Sequence, residues 1–522
     1  MLALLGLPPL AVCARLPVRG CLPLATQGAL SLEPFTTLLA ARHRSVLGDP
    51  EAAQRALLRQ ILARVRGCSL ACILGITGNE SFEDFLDVPP QDYSRYAPSI
   101  ERTFDGERDV FSRDPIVAFG ETSGSRGQPK LIPHTAASLN AIRRFAERLL
   151  LFQLLEGGHY IPHFTKWLSV TASVNVRIER GIPVGFISGL MYQIAQKKRG
   201  GMLLPTPRVA AIADWDERIR QSVREAWTKP VGTIIGVPAY LVRFLEEASS
   251  HAGGRPLGDL WPMLGRVYFS GTSIDAHRML MERMIGRSLV VRGLYTATEG
   301  SFGAELEPCF PGELTLMVDL AVFAFRDVGN TGSRLRPAWE VSVGHRYEVF
   351  VTTLSGLVQY AIGDVLEVTS TRPLRVRVIG RAQDDINLAT EKLSIAQVSA
   401  VISLIAAHVP IHRDHFMVLP DPTHSRRHLW IFEALGPLDE ATTGALIDSA
   451  VSGINPSYAE LRQASAILAA PRVLLLPQGS FDDYVAAGFS TRGQFKFRQL
   501  FPDAPTLLRT PGLSALRHRI GA

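Results

Sequence analysis

Three stretches of the sequence carry side chains whose types and spacing suit phosphate and metal chemistry. The first is ETSGSRGQPK, residues 121 to 130, where Thr122, Ser123, Gly124, Ser125 and Gly127 precede Lys130. Small and glycine residues let backbone amides approach an anion closely, and hydroxyls and an ammonium add donors, so this is a candidate phosphate cradle. It is not the nucleotide loop G-x-x-x-x-G-K-[ST], because the spacing from Gly124 to Lys130 differs and Leu131 follows the lysine. The plainer alternative is a glycine-rich surface turn. The second stretch is YTATEG, residues 295 to 300, where Glu299 stands beside hydroxyls. A carboxylate there suits a magnesium ion whose remaining ligands are water and phosphate; the alternative is a capped turn. The third, GLVQYAIGD, ends in Asp364. That carboxylate is a candidate acceptor for two ribose hydroxyls, or else a solvated side chain on a β-bulge.

The surrounding pattern says what must position them. Ile116-Val117-Ala118-Phe119 is a short apolar run of strand type, and Leu139, Ile142, Phe145, Leu149 and Leu150 repeat at helical spacing from about Ala136. The cradle is therefore expected in a loop between strand and helix, with the helix amino end adding favourable potential. GTIIGVP before AYLVRFLEEA, RVYFSG before IDAHRMLMERMIG, and SLVVRGL before the second stretch repeat that alternation. Such alternation predicts an α/β sheet whose ligand-binding loops gather at the strand ends. From Leu314 the pattern turns to period two, which predicts antiparallel strands or a small β-barrel. Gly380 to Asp385 interrupts the strands. Beyond lie a helix around Ile395 to Leu404, strands HFMVLP, HLWIFEAL and RVLLLP, and a helical 439 to 452, the order of a small α+β unit.

Asp49-Pro50 before Ala53, Leu57, Leu58, Ile61, Leu62 and Val65 reads as a capped amphipathic helix where ordered structure should begin. The expected division is a poorly ordered or extended segment 1–48, a large domain 49–384 and a mobile carboxyl-terminal domain 385–522.

The 522 residues are 46% hydrophobic and 20% charged, enough for two or three domains around a large core. Lys and Arg outnumber Asp and Glu by 55 to 49, but the excess is scattered and its densest run, Lys197-Lys198-Arg199, has no aromatic platform beside it. Nucleic acid is thus excluded as a partner, and small anionic substrates are favoured. Five cysteines, at 13, 21, 68, 72 and 309, are too few and odd for a disulfide framework. Cys68 and Cys72 lack further zinc ligands nearby. The apolar start has its charges, Arg15 and Arg19, after the apolar run rather than before it, and Pro8-Pro9 interrupts it. No later segment reaches the length of a membrane span, so a cytoplasmic monomer is expected.

In their order along the chain, these motifs resemble adenylate-forming enzymes and, more narrowly, the auxin-responsive Gretchen Hagen family of acyl-acid amido synthetases. The resemblance rests on Thr122-Ser123-Gly124-Ser125 with Lys130-Leu131-Ile132-Pro133, Tyr295 to Glu299, and Tyr360 with Gly363-Asp364. Val88-Pro89 with Tyr93 and Tyr96, Gly236-Val237-Pro238, Ser270-Gly271-Thr272, Gly380-Arg381, Glu391-Lys392-Leu393 and Gly493-Gln494-Phe495-Lys496 support it. It runs from about residue 50 to the carboxyl end. It implies a large adenylation domain of α/β sheets plus a small β-barrel, and a smaller α+β carboxyl-terminal domain.

The activity so implied has two steps. ATP and a carboxylic acid give an acyl-adenylate and pyrophosphate; an amine, typically an amino acid, then attacks the acyl carbon to give an amide and AMP. By match, Thr122, Ser123 and Ser125, with the amides of the loop through Gly124 and Gly127 and with Lys130, would hold phosphates. Tyr295, Thr296, Ala297 and Thr298 would pack on adenine and the α-phosphate, with Thr272 and Arg381 also binding ATP. Glu299 would bind Mg2+, Asp364 the ribose, and Lys392 or Lys496 would neutralise the transition state. Glu121, Arg126, Val358-Gln359 and Ala324 depart from the family pattern; Glu121 would repel ATP unless Arg126 pairs with it. A thioester ligase acting on coenzyme A or a carrier, and a nucleotide-binding homologue without turnover, stay open as alternatives. A hydrolase does not, since neither G-x-S-x-G nor H-E-x-x-H occurs.

Overall fold

The apolar run GTIIG forms the strand Val231–Gly236, flanked in parallel by Lys166–Val170 on one side and by Arg266–Ser270 and then Val290–Ala297 on the other. Helices Trp215–Ala226, Pro238–His251 and Asp275–Ile285 cover these strands through one apolar cluster that includes Ile219, Leu245 and Met281 with Leu168, Ile234 and Val267. Strands buried this way read as continuous apolar runs, which is why the sequence displayed them clearly. The computed structural model describes residues 33–521 except 123–129, 157–164, 172–173, 200, 272–273, 329, 331, 382–385, 387, 389–390, 392, 425, 464–467 and 493–496.

Beyond Val290–Ala297 the same sheet reverses direction. Thr298 and Glu299 form the turn into Gly300–Ala304, which runs antiparallel, and Leu314–Leu316, Leu374–Arg381, Tyr360–Thr371, Arg346–Thr352 and Val322–Asp327 follow in that order across one twelve-stranded sheet. The period-two pattern thus gave antiparallel strands correctly. The small barrel is not a separate sheet: these strands continue the main one. Alternation fixes which face is buried and leaves closure open, because a barrel and a coiled open sheet share it.

A second sheet has the order Leu131–Thr135, Ile116–Glu121, Ile182–Phe186, Arg177–Glu179. Here the structure corrects one expectation. The candidate cradle lies in the chain not between a strand and a helix but between two antiparallel strands, since Leu131–Thr135 pairs with Ile116–Glu121 before the helix Ala136–Leu155 begins. The first amides of that helix are capped by its own box, with Thr135 accepting from Ser138 N and the Ser138 side chain from Thr135 N. Helix-end potential is therefore directed at residue 135, not at the cradle.

At the amino end Asp49 accepts from Ala52 N at 3.1 Å, as its place before Pro50 predicted. Ordered structure begins earlier than expected, however, in the helix Glu33–Gly48. Its apolar face is narrow and interrupted by Arg42, His43 and Arg44, yet Ala40 and Leu47 are buried and the helix packs on Ala136–Leu155. At the carboxyl end, strands Ile411–Pro420, His428–Ala434 and Arg472–Leu476 carry helices Ile395–Ile405 and Glu440–Ile454 around a separate core of Val398, Ile402, Phe416, Trp430, Phe432 and Ile447. Among the described residues no helix is long and apolar enough to cross a membrane.

Candidate functional site

The neck of the cradle is closed by two hydrogen bonds. Thr122 N donates to the Lys130 carbonyl at 2.9 Å, and Lys130 N donates to Thr122 Oγ1 at 2.9 Å. Tyr93 supports the far strand, its hydroxyl accepting from Leu131 N at 2.9 Å while the Lys130 ammonium lies 5.3 Å from its ring centre. Ser123, Gly124, Ser125 and Gly127 lie outside the described residues, as does Arg126. Glu121, the acid at the neck, pairs with Arg177 on the strand Arg177–Glu179, at 2.7 Å from Oε2 to Nη1. The sequence offered Arg126 as the neutralising cation; Arg177 is distant in the chain and adjacent only through the sheet.

This hairpin rests directly on the second motif. A Cβ at Gly120 would stand 2.6 Å from Thr298 Cγ2 and 3.0 Å from His134 Nε2, closer than carbon contacts allow, so only glycine fits there. His134 Nε2 is 3.0 Å from the Thr298 carbonyl oxygen. A carbonyl only accepts, so Nε2 carries the hydrogen. Burial pulls the His134 ring down to about 4, against the raising effect of that hydrogen bond, and the imidazole is neutral. Gly120, His134 and Thr298 thereby fix the cradle against the turn that bears Glu299.

The second and third motifs meet through their tyrosines. Tyr295 Oη donates to Asp364 Oδ2 at 2.8 Å, and the Tyr360 phenol is near enough to the Glu299 carboxylate to feel its charge. Four sheet positions separate the strands of Tyr295 and Asp364, roughly 19 Å in a flat sheet, so the sheet must curl to bring them together. Glu299 and Asp364 are each 8% exposed. Asp364 sits on the bulged strand Tyr360–Thr371, after Gly363 at φ +84°, a conformation that suits glycine. The bulge weighed from the sequence is real, but the carboxylate on it is buried rather than solvated. Burial, and then the charge of Glu299, raise the Tyr360 phenol well above its ordinary range, so it keeps its proton.

Residues near the amino end brace the third motif. Gln91 N donates to the Gln359 carbonyl and Ala361 N to the Gln91 carbonyl, both at 2.8 Å. Tyr96 Oη donates to the Val358 carbonyl at 2.6 Å and accepts from Val358 N at 3.0 Å. Gln359, one of the departures from the family pattern, is buried at φ +45° with its side-chain amide donating to the Phe85 carbonyl at 3.3 Å. It braces the motif instead of facing a ligand. Ala324 is buried within its strand.

Thr296, Ala297 and Thr298 are half-buried beside Glu299, and Arg381 pairs in register with Asp364 on the adjoining strand. Thr272, Lys392 and Lys496 lie outside the described residues. Next to Lys392, Glu391 is buried; its carboxylate accepts from Leu388 N at 2.7 Å and meets His428 Nε2 at 2.9 Å, and its carbonyl accepts from Asn455 Nδ2 at 2.7 Å. Sequence reading missed Gly120, His134, Gln91 and Arg177. A histidine in a strand too short to show its period, HT after LIP, was the one available signal.

Two family models match the chain: the GH3 family N-terminal domain over residues 40–246 and the GH3 family central domain over residues 314–381, together more than half of it. Indole-3-acetic acid-amido synthetase GH3.17 of Arabidopsis thaliana is 24% identical over 432 residues, 66% of this chain and 71% of that protein. Indole-3-acetic acid-amido synthetase GH3.3 of the same plant is 23% identical over 393 residues, covering 60% and 64%. Among solved structures, AtGH3.15 acyl acid amido synthetase in complex with 2,4-DB superposes with a TM-score of 0.75 at 17% identity, over 92% of this chain and 96% of that one. 2-Hydroxyisobutyryl-CoA ligase in the postadenylation state, in complex with 2-HIB-AMP, gives 0.61 at 16% identity over 92% of each. At these identities the structures establish the shared fold.

Proposed function

This chain belongs to the GH3 family, and we propose that it is an ATP-dependent acyl-acid amido synthetase, joining a carboxylic acid to an amine, in the first instance an amino acid, through an acyl-adenylate. The observation that carries this reading is the convergence of the three motifs: the cradle hairpin on Thr298 through Gly120 and His134, and Asp364 on Tyr295.

The adenylating step concentrates negative charge where the substrate carboxylate attacks the α-phosphorus and pyrophosphate leaves, so oriented donors must meet it. Thr122 Oγ1 already accepts from Lys130 N, which leaves its hydroxyl hydrogen to be donated to a phosphate oxygen. Ser123, Ser125 and the amides of the turn would act with it, and Asp364 would accept from ribose hydroxyls. Thr296 to Thr298 would line the nucleotide. In the second step the amine attacks the acyl carbon and AMP leaves, with Lys392 or Lys496 on the smaller domain neutralising phosphate charge.

Among the described residues no group of three or more His, Cys, Asp or Glu side chains could hold a metal. Mg2+ takes one or two carboxylates and completes its shell with water and substrate phosphates. Glu299, buried near the Tyr360 phenol, fits that single-carboxylate role. Bound there, Mg2+ would supply positive charge to the triphosphate.

Incubation of the protein with MgATP and a panel of carboxylic acids, with amino acids in one arm and coenzyme A in the other, tests the reading. Acid-dependent pyrophosphate release with amide in the first arm is expected. Thioester alone would assign the other acceptor class, and nucleotide binding without pyrophosphate release under any acid would leave a binding protein.

A further inference from the structure

We propose that the cavity between the strand Lys166–Val170 and the helix Trp215–Ala226 is a binding site for a monatomic anion of chloride size, held by the guanidinium of Arg218 and the hydroxyl of Ser222. Arg218 and Ser222 stand four residues apart and so share one face of that helix. Ser169 and Thr171, at the end of the strand, also line the cavity, with their hydroxyl oxygens 3.5 Å apart. Because Lys166–Val170, Val231–Gly236, Arg266–Ser270 and Val290–Ala297 run parallel, the cavity lies on the carboxyl edge of the sheet, the edge that also carries the Glu299 turn. Three strand spacings, roughly 14 Å in a flat sheet, separate the first of these strands from the last. The site is therefore distinct from the one assigned to the nucleotide, and it stands whether or not the amido-synthetase reading does.

The physical case rests on a buried charge without a counter-ion. Arg218 is 4% exposed, and its hydrogen bonds to described residues all leave from Nη1, which donates to the carbonyls of Ile212 and Ala213, the latter at 3.2 Å. Its Cζ lies 5.0 Å from the Trp215 ring centre, a contact that leaves the in-plane hydrogens of Nε and Nη2 unused. No carboxylate among the described residues pairs with it. Asp214, whose charge reaches it, spends a carboxylate oxygen on the start of the same helix, accepting from Glu217 N at 2.7 Å. Burial draws the guanidinium down to about 10, which still leaves it protonated at neutral pH. A cation so placed is costly unless an anion and acceptors meet it, and a single anion in the cavity supplies both. Ser222 is buried and its hydroxyl bonds no described residue, so it adds a further donor. Tyr192 lines the same space but has given its hydrogen to the Pro205 carbonyl and accepts from Gln196 Nε2 at 2.8 Å, so it closes the wall without reaching the ion. Size selects the ion. The free volume of about 10 Å³ is room for about one water-sized particle, which suits a halide and shuts out phosphate.

The test uses the full chain without nucleotide, beside its Ser222→Ala and Arg218→Gln variants. Melting is followed at constant ionic strength while gluconate is exchanged for chloride in one arm and for formate in the other, and broadening of the chloride-35 resonance by the protein is recorded on the same samples. Wild type should melt at a higher temperature as chloride rises, the gain levelling off as the site fills, and should broaden the chloride line until bromide displaces the ion. Ser222→Ala removes one donor and keeps the charge, so its half-saturating chloride concentration should rise about tenfold. Arg218→Gln should lose both responses. Should Arg218→Gln fail to fold, wild type and Ser222→Ala decide the matter between them. Melting that follows ionic strength alone, with no line broadening, would overturn the proposal and leave water in the cavity. A response to formate and none to chloride would overturn the halide assignment, and a chloride response unchanged in Ser222→Ala or in folded Arg218→Gln would place the ion elsewhere.

Discussion

His277 Nε2 lies 2.8 Å from Asp414 Oδ1 and ties the helix Asp275–Ile285 of the larger domain to the strand Ile411–Pro420 of the smaller one. His412 and His415 stand beside Asp414 with ring centres 3.8 Å apart, and Glu433 takes His415 at 3.3 Å; Glu246 faces the pair from the helix Pro238–His251. Burial pushes the Asp414 carboxyl up, but the hydrogen bond of His277 and then its charge outweigh it and hold the acid below its ordinary value. This contact joins the two domains beside the packing of the helix Asp275–Ile285 on the helix Ile395–Ile405.

Removing one partner should loosen that contact, because it leaves the partly buried Asp414 carboxylate without its His277 hydrogen bond. His277→Ala is expected to enlarge the radius of gyration in small-angle scattering and to lower the melting of the smaller domain, at a cost of about 2 kcal/mol. Asp414→Asn keeps an acceptor for His277 and should do less. Scattering curves and melting identical to wild type in both variants would dismiss the contact as incidental.

Stability should fall on mild acidification for a reason visible in three neutral histidines. His134 is held to about 4 by burial. His43 is held to about 4 by burial and then by the charge of Arg148, whose Nε donates to His43 Nδ1 at 3.2 Å. His412 is held to about 4 by burial and then by His415, with its Nδ1 accepting from the amides of Asp414 and His415 at 3.2 and 3.0 Å. Unfolded, each takes a proton near 6.5; folded, only near 4. The unfolded chain binds more protons between those values, so stability is complete above 6.5 and lost as pH falls toward 4. With all three contributing, the slope reaches about 4 kcal/mol per pH unit. Urea unfolding at a series of pH values measures it, and His134→Gln should remove one proton from the dependence. Flat stability between about pH 7 and about pH 5 would contradict the assignment.

The cradle's seat can be tested at Gly120. Gly120→Ala puts a methyl 2.6 Å from Thr298 Cγ2, with His134 at 3.0 Å on its other side. Overpacking of this kind costs about 1–3 kcal/mol, and the strain falls between the phosphate hairpin and the Glu299 turn. Nucleotide affinity is expected to drop more than melting does, read by calorimetry and thermal unfolding on the same preparation. Unchanged nucleotide affinity in a folded variant would show that the hairpin's seat does not matter to the site.

What the sequence revealed and what it hid divide along physical lines. Strands such as Val231–Gly236 and the capped helix at Pro50–Val65 were legible because burial on both faces, or a cap followed by regular spacing, leaves a local trace. Ser123 to Gly127, Glu299 and Asp364 stood out as candidates because their types are unusual for plain turns. The strand Leu131–Thr135 was not, since five residues with a proline show no period and the partner that makes it a strand is Ile116–Glu121. The Tyr295–Asp364 hydrogen bond and the approach of Tyr360 to Glu299 were hidden altogether. They depend on how far a sheet curls, and no local pattern encodes that.

Glu121 poses the last question, an acid one residue from the cradle of a polyanion. Arg177 answers it at 2.7 Å from a strand edge, half-exposed, so the pair adds little to stability; Arg177→Ala should leave melting within about 0.5 kcal/mol of wild type. Its effect should appear instead in nucleotide binding. Without Arg177 the carboxylate of Glu121 faces the incoming triphosphate unshielded, and the KM for ATP should rise about threefold at low ionic strength, shrinking as salt screens it. Adding Glu121→Gln to Arg177→Ala removes the repelling charge and should return the KM to near the wild-type value. A rise in KM that persists in the double variant would mean that Arg177 binds the nucleotide itself.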